Sequence, residues 1–81
     1  MDEITLDEVI EMLEDIQEDV DYETCTTLID DHVLDSFDIL AIVSAADEEF
    51  DVTIPAKEIM PENFNSAAAL CALIQRLADE D

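Results

Sequence analysis

The side chains best placed to do chemistry lie in Leu34-Asp35-Ser36-Phe37-Asp38, where a hydroxyl stands between two carboxylates. Asp35 supplies the oxygen that a helix N-cap needs, and Asp38 three residues on can answer it, each carboxylate accepting from the other's backbone N–H. Ser36 then takes the first helical position. Its hydroxyl is expected to point outward beside the positive end of the helix dipole, where an attached phosphate would gain roughly 0.3–1 kcal/mol. That chemistry is an anchor for a phosphodiester, not turnover. No acid/base pair, metal cluster or nucleophile triad can be assembled elsewhere, so no intrinsic catalysis is expected. His32 has no second histidine or cysteine at metal-ligand spacing and reads as a loop residue. Asp19, Asp21 and Glu23 imitate a calcium loop, but Thr24 stands where the turn requires glycine and Asp30 where a bidentate glutamate belongs.

The elements that must position Ser36 follow from period and punctuation. Thr5 and Glu8 form an S/T-x-x-E capping box, with Ile4 and Val9 as its hydrophobic staple. Leu6, Val9, Ile10, Leu13 and Ile16 then mark the apolar face of a first helix. Residues 17–34 keep no period and predict a long loop, anchored by Leu28, Ile29, Val33 and Leu34 and delivering the chain to Ser36. A second helix is expected over 36–50. Ile39, Leu40, Ile42, Val43, Ala45, Ala46 and Phe50 cover more than half its circumference, which makes it the central helix, with Asp35, Asp38, Asp47 and Glu48 on its exposed strip. Pro55 can open a short third helix over 56–59 or 56–60, ended by Pro61. Asn65 or Ser66 then caps a fourth, whose buried side carries Ala67, Leu70, Cys71, Leu73, Ile74, Leu77 and Ala78, with Arg76 complementing its dipole. The expected fold is all-α: a small four-helix bundle with three longer helices, one short third helix and a long loop between the first two.

Composition bounds the partners. The chain's 81 residues leave room for one domain, taken as 1–81, and a 49% hydrophobic content suffices for a core despite a net charge of −22. Only Lys57 and Arg76 are basic, and two cations cannot displace counterions from nucleic acid, so nucleic acid is excluded as a partner. Basic protein surfaces are favoured instead, with encounter speeded by charge of one sign. No apolar run reaches the roughly 18–20 residues of a membrane span, and no basic leader precedes an apolar segment, so a cytoplasmic monomer is expected. Cys25 and Cys71 are expected as thiols, lacking either a Cys-x-x-Cys motif or the density of a disulfide scaffold. With no glycine in the chain, turns that need positive φ must use Asn or Asp or be avoided.

Asp35-Ser36-Phe37-Asp38, the apolar helix after it, and Glu48-Glu49-Phe50-Asp51-Val52-Thr53-Ile54-Pro55 together resemble the acyl carrier protein family. That family is marked by Asp-Ser-Leu followed by an acidic-Phe-Asp-x-x-Ile-Pro run, and the spacing of the two landmarks also fits. The resemblance extends from Leu6 to Leu77 and implies that Ser36 carries 4′-phosphopantetheine, installed from coenzyme A by a phosphopantetheinyl transferase using Mg²⁺. It further implies that Asp35, Asp38, Asp47 and Glu48 meet basic patches on loading ligases and synthases. The arm's thiol, not Cys25 or Cys71, would hold an acyl group, and an interior bordered by Leu28, Ile29, Val43, Ala46, Ile54 and Leu70 could sheathe it. Leu34-Asp35-Ser36-Phe37 looks more like D-alanyl and other aminoacyl carriers, whereas the Glu48 to Pro55 run is similar to fatty acyl carriers. His32-Val33-Leu34 stands where the family often has glycine. Outside that family, the same residues fit an acidic helical interaction module in which Ser36 is only a first-turn residue.

Overall fold

The computed structural model describes residues 4–80, all of whose regular elements are helical. In chain order these are α1 (Leu6–Ile16), α2 (Ser36–Phe50), a 3₁₀ turn (Ala56–Glu58), α3 (Pro61–Phe64) and α4 (Ala67–Glu80). Helix α1 packs against both α2 and α4, and α3 packs against α4. The Cα radius of gyration is 11.4 Å, close to the roughly 11.7 Å of a folded chain of this length. The buried side chains form one cluster, centred on Val9, Leu13, Ile42, Phe64, Leu70 and Ile74.

Helix α1 begins at the expected cap, where the Thr5 hydroxyl accepts from the Glu8 N–H at 3.3 Å. The Glu8 carboxylate accepts from the Thr5 hydroxyl, also at 3.3 Å, in place of the Thr5 N–H that the expected capping box would use. Its buried stripe is Val9, Ile10, Met12 and Leu13. Met12 joins the stripe because α1 has neighbours on two sides and must present a wide apolar face. Leu6, placed on that face by periodicity, is instead 42% exposed, since it sits in the first turn at the margin of the core.

The loop over 17–35 has no helix or strand, as the sequence predicts, and is pinned at intervals. Leu28 and Leu34 are buried, with Ile29 and Val33 half-buried against the core. Tyr22, in a polar run with no period to mark it, is also buried. Its hydroxyl lies 2.7 Å from the Gln17 carbonyl and 3.1 Å from that of Leu13, within reach of donating to either, and so covers carbonyls at the C-terminal end of α1. His32 takes the left-handed conformation, φ 58°, where an Asn or Asp was expected, while Asp51 meets that expectation as the left-handed C-cap of α2.

Several expectations for the second half are corrected. Residues 56–58 make a single 3₁₀ turn, and Pro61 does not end the short helix but begins it, at N1 of α3. A proline at N1 loses no hydrogen bond, and the choice between ending and starting is settled by Phe64, whose burial needs a helical turn after Pro61. Arg76 stands before the last turn of α4 and is bonded to a neighbouring element. Its guanidinium lies 2.9 Å from one Glu58 carboxylate oxygen and 3.3 Å from the other, tying the 3₁₀ turn to α4. Hydrogen bonding from Arg76 holds the Glu58 carboxyl below the usual carboxylate range against the opposing effect of desolvation. Ser66 caps α4, accepting from the Ala69 N–H at 3.0 Å. The core side of α4 is Ala67, Leu70, Cys71, Leu73 and Ile74. Leu77 is half-buried, and Ala78, expected inside, is exposed beyond the last layer of the core. Burial, with a smaller effect of Glu8, raises the Cys71 thiol pKa. Both cysteines are free.

Candidate functional site

The start of α2 is built as a reciprocal capping box. Asp35, in extended conformation, accepts from the Asp38 N–H at 3.1 Å, and the Asp38 carboxylate accepts from the Asp35 N–H at the same distance. Two orphan donors are thus satisfied by side chains that stay local. Ser36 follows at the first helical position and is exposed.

The face of α2 running away from Ser36 differs from its expected form. Only Ile42 and Ala46 are fully buried; Ile39, Val43, Ala45 and Phe50 are half-buried, and Leu40 is 61% exposed. Phe37 is 83% exposed. Phe37, Leu40, Ala41 and Ser44, spaced i, i+3, i+4, i+7, share one solvent-facing strip that continues to the exposed Asp47 and Glu48. Sequence reasoning placed Leu40 in the core because the helix is apolar around most of its girth, and periodicity cannot say which part of such a girth lacks a neighbour. Asp38 leaves the exposed strip assigned to it: it is half-buried, drawn in by its bond to the Asp35 N–H. Asp35, Asp47 and Glu48 are exposed as expected. The strip therefore has a hydroxyl at one end, two large apolar side chains beside it and carboxylates at the other.

Comparison of the chain with protein-family models, with curated proteins and with solved structures gives no match. The reading of this site rests on its chemistry.

The phenol of Tyr22, at the end of α1, is pushed up to about 12, first by burial and then by the charges of Asp38 and Glu14. Nothing in the sequence flags Tyr22, because its partners are carbonyls rather than side chains. Leu28, Ala46, Ile54 and Leu70 are packed inside the core, and Ile29 and Val43 lie on its margin. A cleft of about 350 Å³ opens elsewhere, beside Leu6, Ile10 and Cys25, and none of those six residues lines it. Among the described residues, no group of three His, Cys, Asp or Glu side chains is placed to hold a metal ion, and no helix is long and apolar enough to cross a membrane.

Proposed function

We propose that this chain is an acyl carrier, with 4′-phosphopantetheine joined to Ser36 and the outer face of α2 as the surface that partner enzymes read. The observation that carries the reading is an exposed serine at the first position of a reciprocally capped helix, flanked by Phe37 at 83% exposure. A phosphodiester at that hydroxyl would sit by the positive end of a 15-residue helix. The two nearest carboxylates are each turned onto a backbone N–H, which offsets part of their repulsion for a phosphate. When bound, the group supplies a flexible arm ending in a thiol that holds an acyl cargo as a thioester. The chain's own residues do the rest. Asp35 and Asp38 hold the helix start, Ser36 is the covalent anchor, Phe37 and Leu40 offer an apolar contact, and Asp35, Asp47 and Glu48 provide the acidic rim. Tethering raises the cargo's effective concentration at each docked enzyme, and with a net charge of −22 basic partner surfaces are favoured at encounter.

In this reading the helices form the carrier's bundle, the chain is a cytoplasmic monomer and a substrate rather than an enzyme, and its partners are a phosphopantetheinyl transferase and acyl- or aminoacyl-loading ligases and synthases. Fatty acyl cargo fits the Glu48 to Pro55 run; aminoacyl cargo fits the Leu34 to Phe37 segment, and loading assays with a fatty acyl ligase and an amino-acid-adenylating enzyme separate the two.

Intact mass after incubation with coenzyme A, Mg²⁺ and a broad-specificity transferase tests the proposal. Wild type gains one arm and Ser36→Ala gains none. If neither gains mass, the carrier reading fails and the exposed strip of α2 belongs to an acidic interaction module.

A further inference from the structure

The last stretch of the loop that delivers the chain to Ser36 is fastened to a residue far along the sequence, 36 positions from Ile29. Asn65, the residue between α3 and α4, accepts through its side-chain oxygen from the Ile29 N–H and the Asp30 N–H, each at 3.0 Å. Its amide nitrogen donates to the Asp30 carboxylate at 3.2 Å. Its backbone carbonyl accepts from the Leu28 N–H at 2.8 Å. Leu28 in turn accepts from the Leu34 N–H at 2.8 Å, closing the turn that His32 reverses with its left-handed backbone. Leu34 is buried and is followed directly by Asp35, the cap of α2. Asn65 thus reaches the helix start in three covalent or hydrogen-bonded steps: to Leu28, to Leu34, to Asp35. Its own position is firm, since Phe64 and Ala67 on either side are buried and Ser66 is committed to capping α4.

We infer that Asn65 is a positioning residue for Ser36: it holds residues 28–34 as a strap that sets the angle and register at which the serine and the α2 face are presented to the modifying enzyme. This rests on the carrier reading of Ser36, and extends it to a residue that touches neither the serine nor a partner. The chemistry of the strap is specific. Both lone pairs of one oxygen are used on successive N–H groups, and the adjoining amide donates to a carboxylate, a combination that asparagine provides and aspartate does not. Placing a carboxylate at 65 keeps the two acceptor bonds but sets it against the Asp30 carboxylate. Exchanging the two residues restores the complement.

The experiment compares wild type with Asn65→Ala, Asn65→Asp and the double variant Asn65→Asp/Asp30→Asn, using transfer from coenzyme A for kinetics and backbone amide exchange for the loop. In Asn65→Ala, amide exchange at Ile29, Asp30 and Leu34 accelerates about tenfold or more while that at Leu13 and Ile74 changes far less. The kcat/KM for modification of Ser36 falls about fivefold or more, through KM, because the transferase must select the presented conformation from a looser set. Asn65→Asp behaves likewise, and the double variant returns to within about twofold of wild type on both measures. A uniform acceleration across loop and core, with transfer to the folded molecules unchanged, would overturn the inference and leave Asn65 with a merely stabilising role. So would a double variant no better than Asn65→Asp. If wild type accepts no arm, it is the carrier reading that fails; the exchange pattern and its recovery in the double variant still decide whether the strap exists.

Discussion

Helices α2 and α4 are nearly equal in length, 15 and 14 residues, and both are rich in apolar side chains, yet they use them differently. Helix α4 buries Ala67, Leu70, Cys71, Leu73 and Ile74 and leaves Gln75, Arg76 and Asp79 outside. Helix α2 buries only Ile42 and Ala46, and two of the three large apolar side chains exposed among the described residues, Phe37 and Leu40, are on it. The apolar content of α4 is accounted for by the fold. That of α2 is not, and the excess lies within one turn of an exposed serine. Apolar area held in water beside an exposed hydroxyl stabilises little in the free chain, and on the carrier reading its use is in a complex.

The largest way to sharpen this contrast is to truncate the buried member. Ile74→Ala opens a cavity against Val9, Leu13 and Phe64 in the common core and should cost about 2–5 kcal/mol, read from the denaturation midpoint at constant slope. A loss below about 1 kcal/mol would mean that α4 is not the structural helix described.

Tyr22 comes next. Tyr22→Phe removes the hydroxyl that covers the Leu13 and Gln17 carbonyls, for an expected loss of about 1–2 kcal/mol. The same residue has a pH signature. Burial, then Asp38 and Glu14, raise its folded pKa from 10.0 to about 12, so the neutral phenol is favoured in the native state. Its contribution is fully present below pH 10 and is lost as pH rises through about 12. Wild type should therefore lose stability across that window more steeply than Tyr22→Phe. Equal slopes would show that the phenol titrates as it does in the unfolded chain.

At the start of α2 the expected loss is smaller. Asp35→Ala removes one arm of a solvent-exposed cap and should lower stability by about 1 kcal/mol. If Ser36 carries the proposed arm, its transfer should slow in this variant even after allowance for the unfolded fraction, because the cap also orients Ser36. An unchanged midpoint would show that Asp38 alone suffices to start the helix.

These residues also separate what was legible in the sequence from what was not. Both N-cap residues, Thr5 and Asp35, are read correctly because capping is decided within four residues and has a fixed chemistry, although only Asp35 with Asp38 completes the reciprocal box. The span of α2 follows from its cap at one end and the break at Asp51 at the other. Pro61 is misread because proline both ends and begins helices, and only the burial of Phe64 chooses between them. Tyr22 goes unmarked, and Asn65 is read only as a possible cap of α4, for a different reason: their partners are chiefly backbone groups, Ile29 lying 36 residues from Asn65, and neither hydrophobic period nor motif spacing encodes such a bond. Leu40 fails as a core residue since a helix apolar on several sides does not announce which side has a neighbour. The candidate site is thus legible where it is local, at Ser36 and its two carboxylates, and illegible where it depends on packing, at the exposed Phe37 and Leu40 and in the strap behind them.

The smallest effect on stability carries the sharpest test of the contrast. Leu40→Ala removes a side chain that is 61% exposed, so the denaturation midpoint should move by less than about 0.5 kcal/mol, against the several lost at Ile74. If the strip is a docking surface, the same change should weaken binding to a transferase or ligase by about tenfold, since an apolar side chain near the centre of an interface is worth roughly 1–2 kcal/mol on truncation. Asp47→Asn at the rim should instead slow association and lessen its salt dependence, leaving dissociation nearly unchanged. A Leu40→Ala variant that is destabilised and binds normally would reverse the assignment: Leu40 would then belong to the fold, and α2 would use its apolar residues as α4 does.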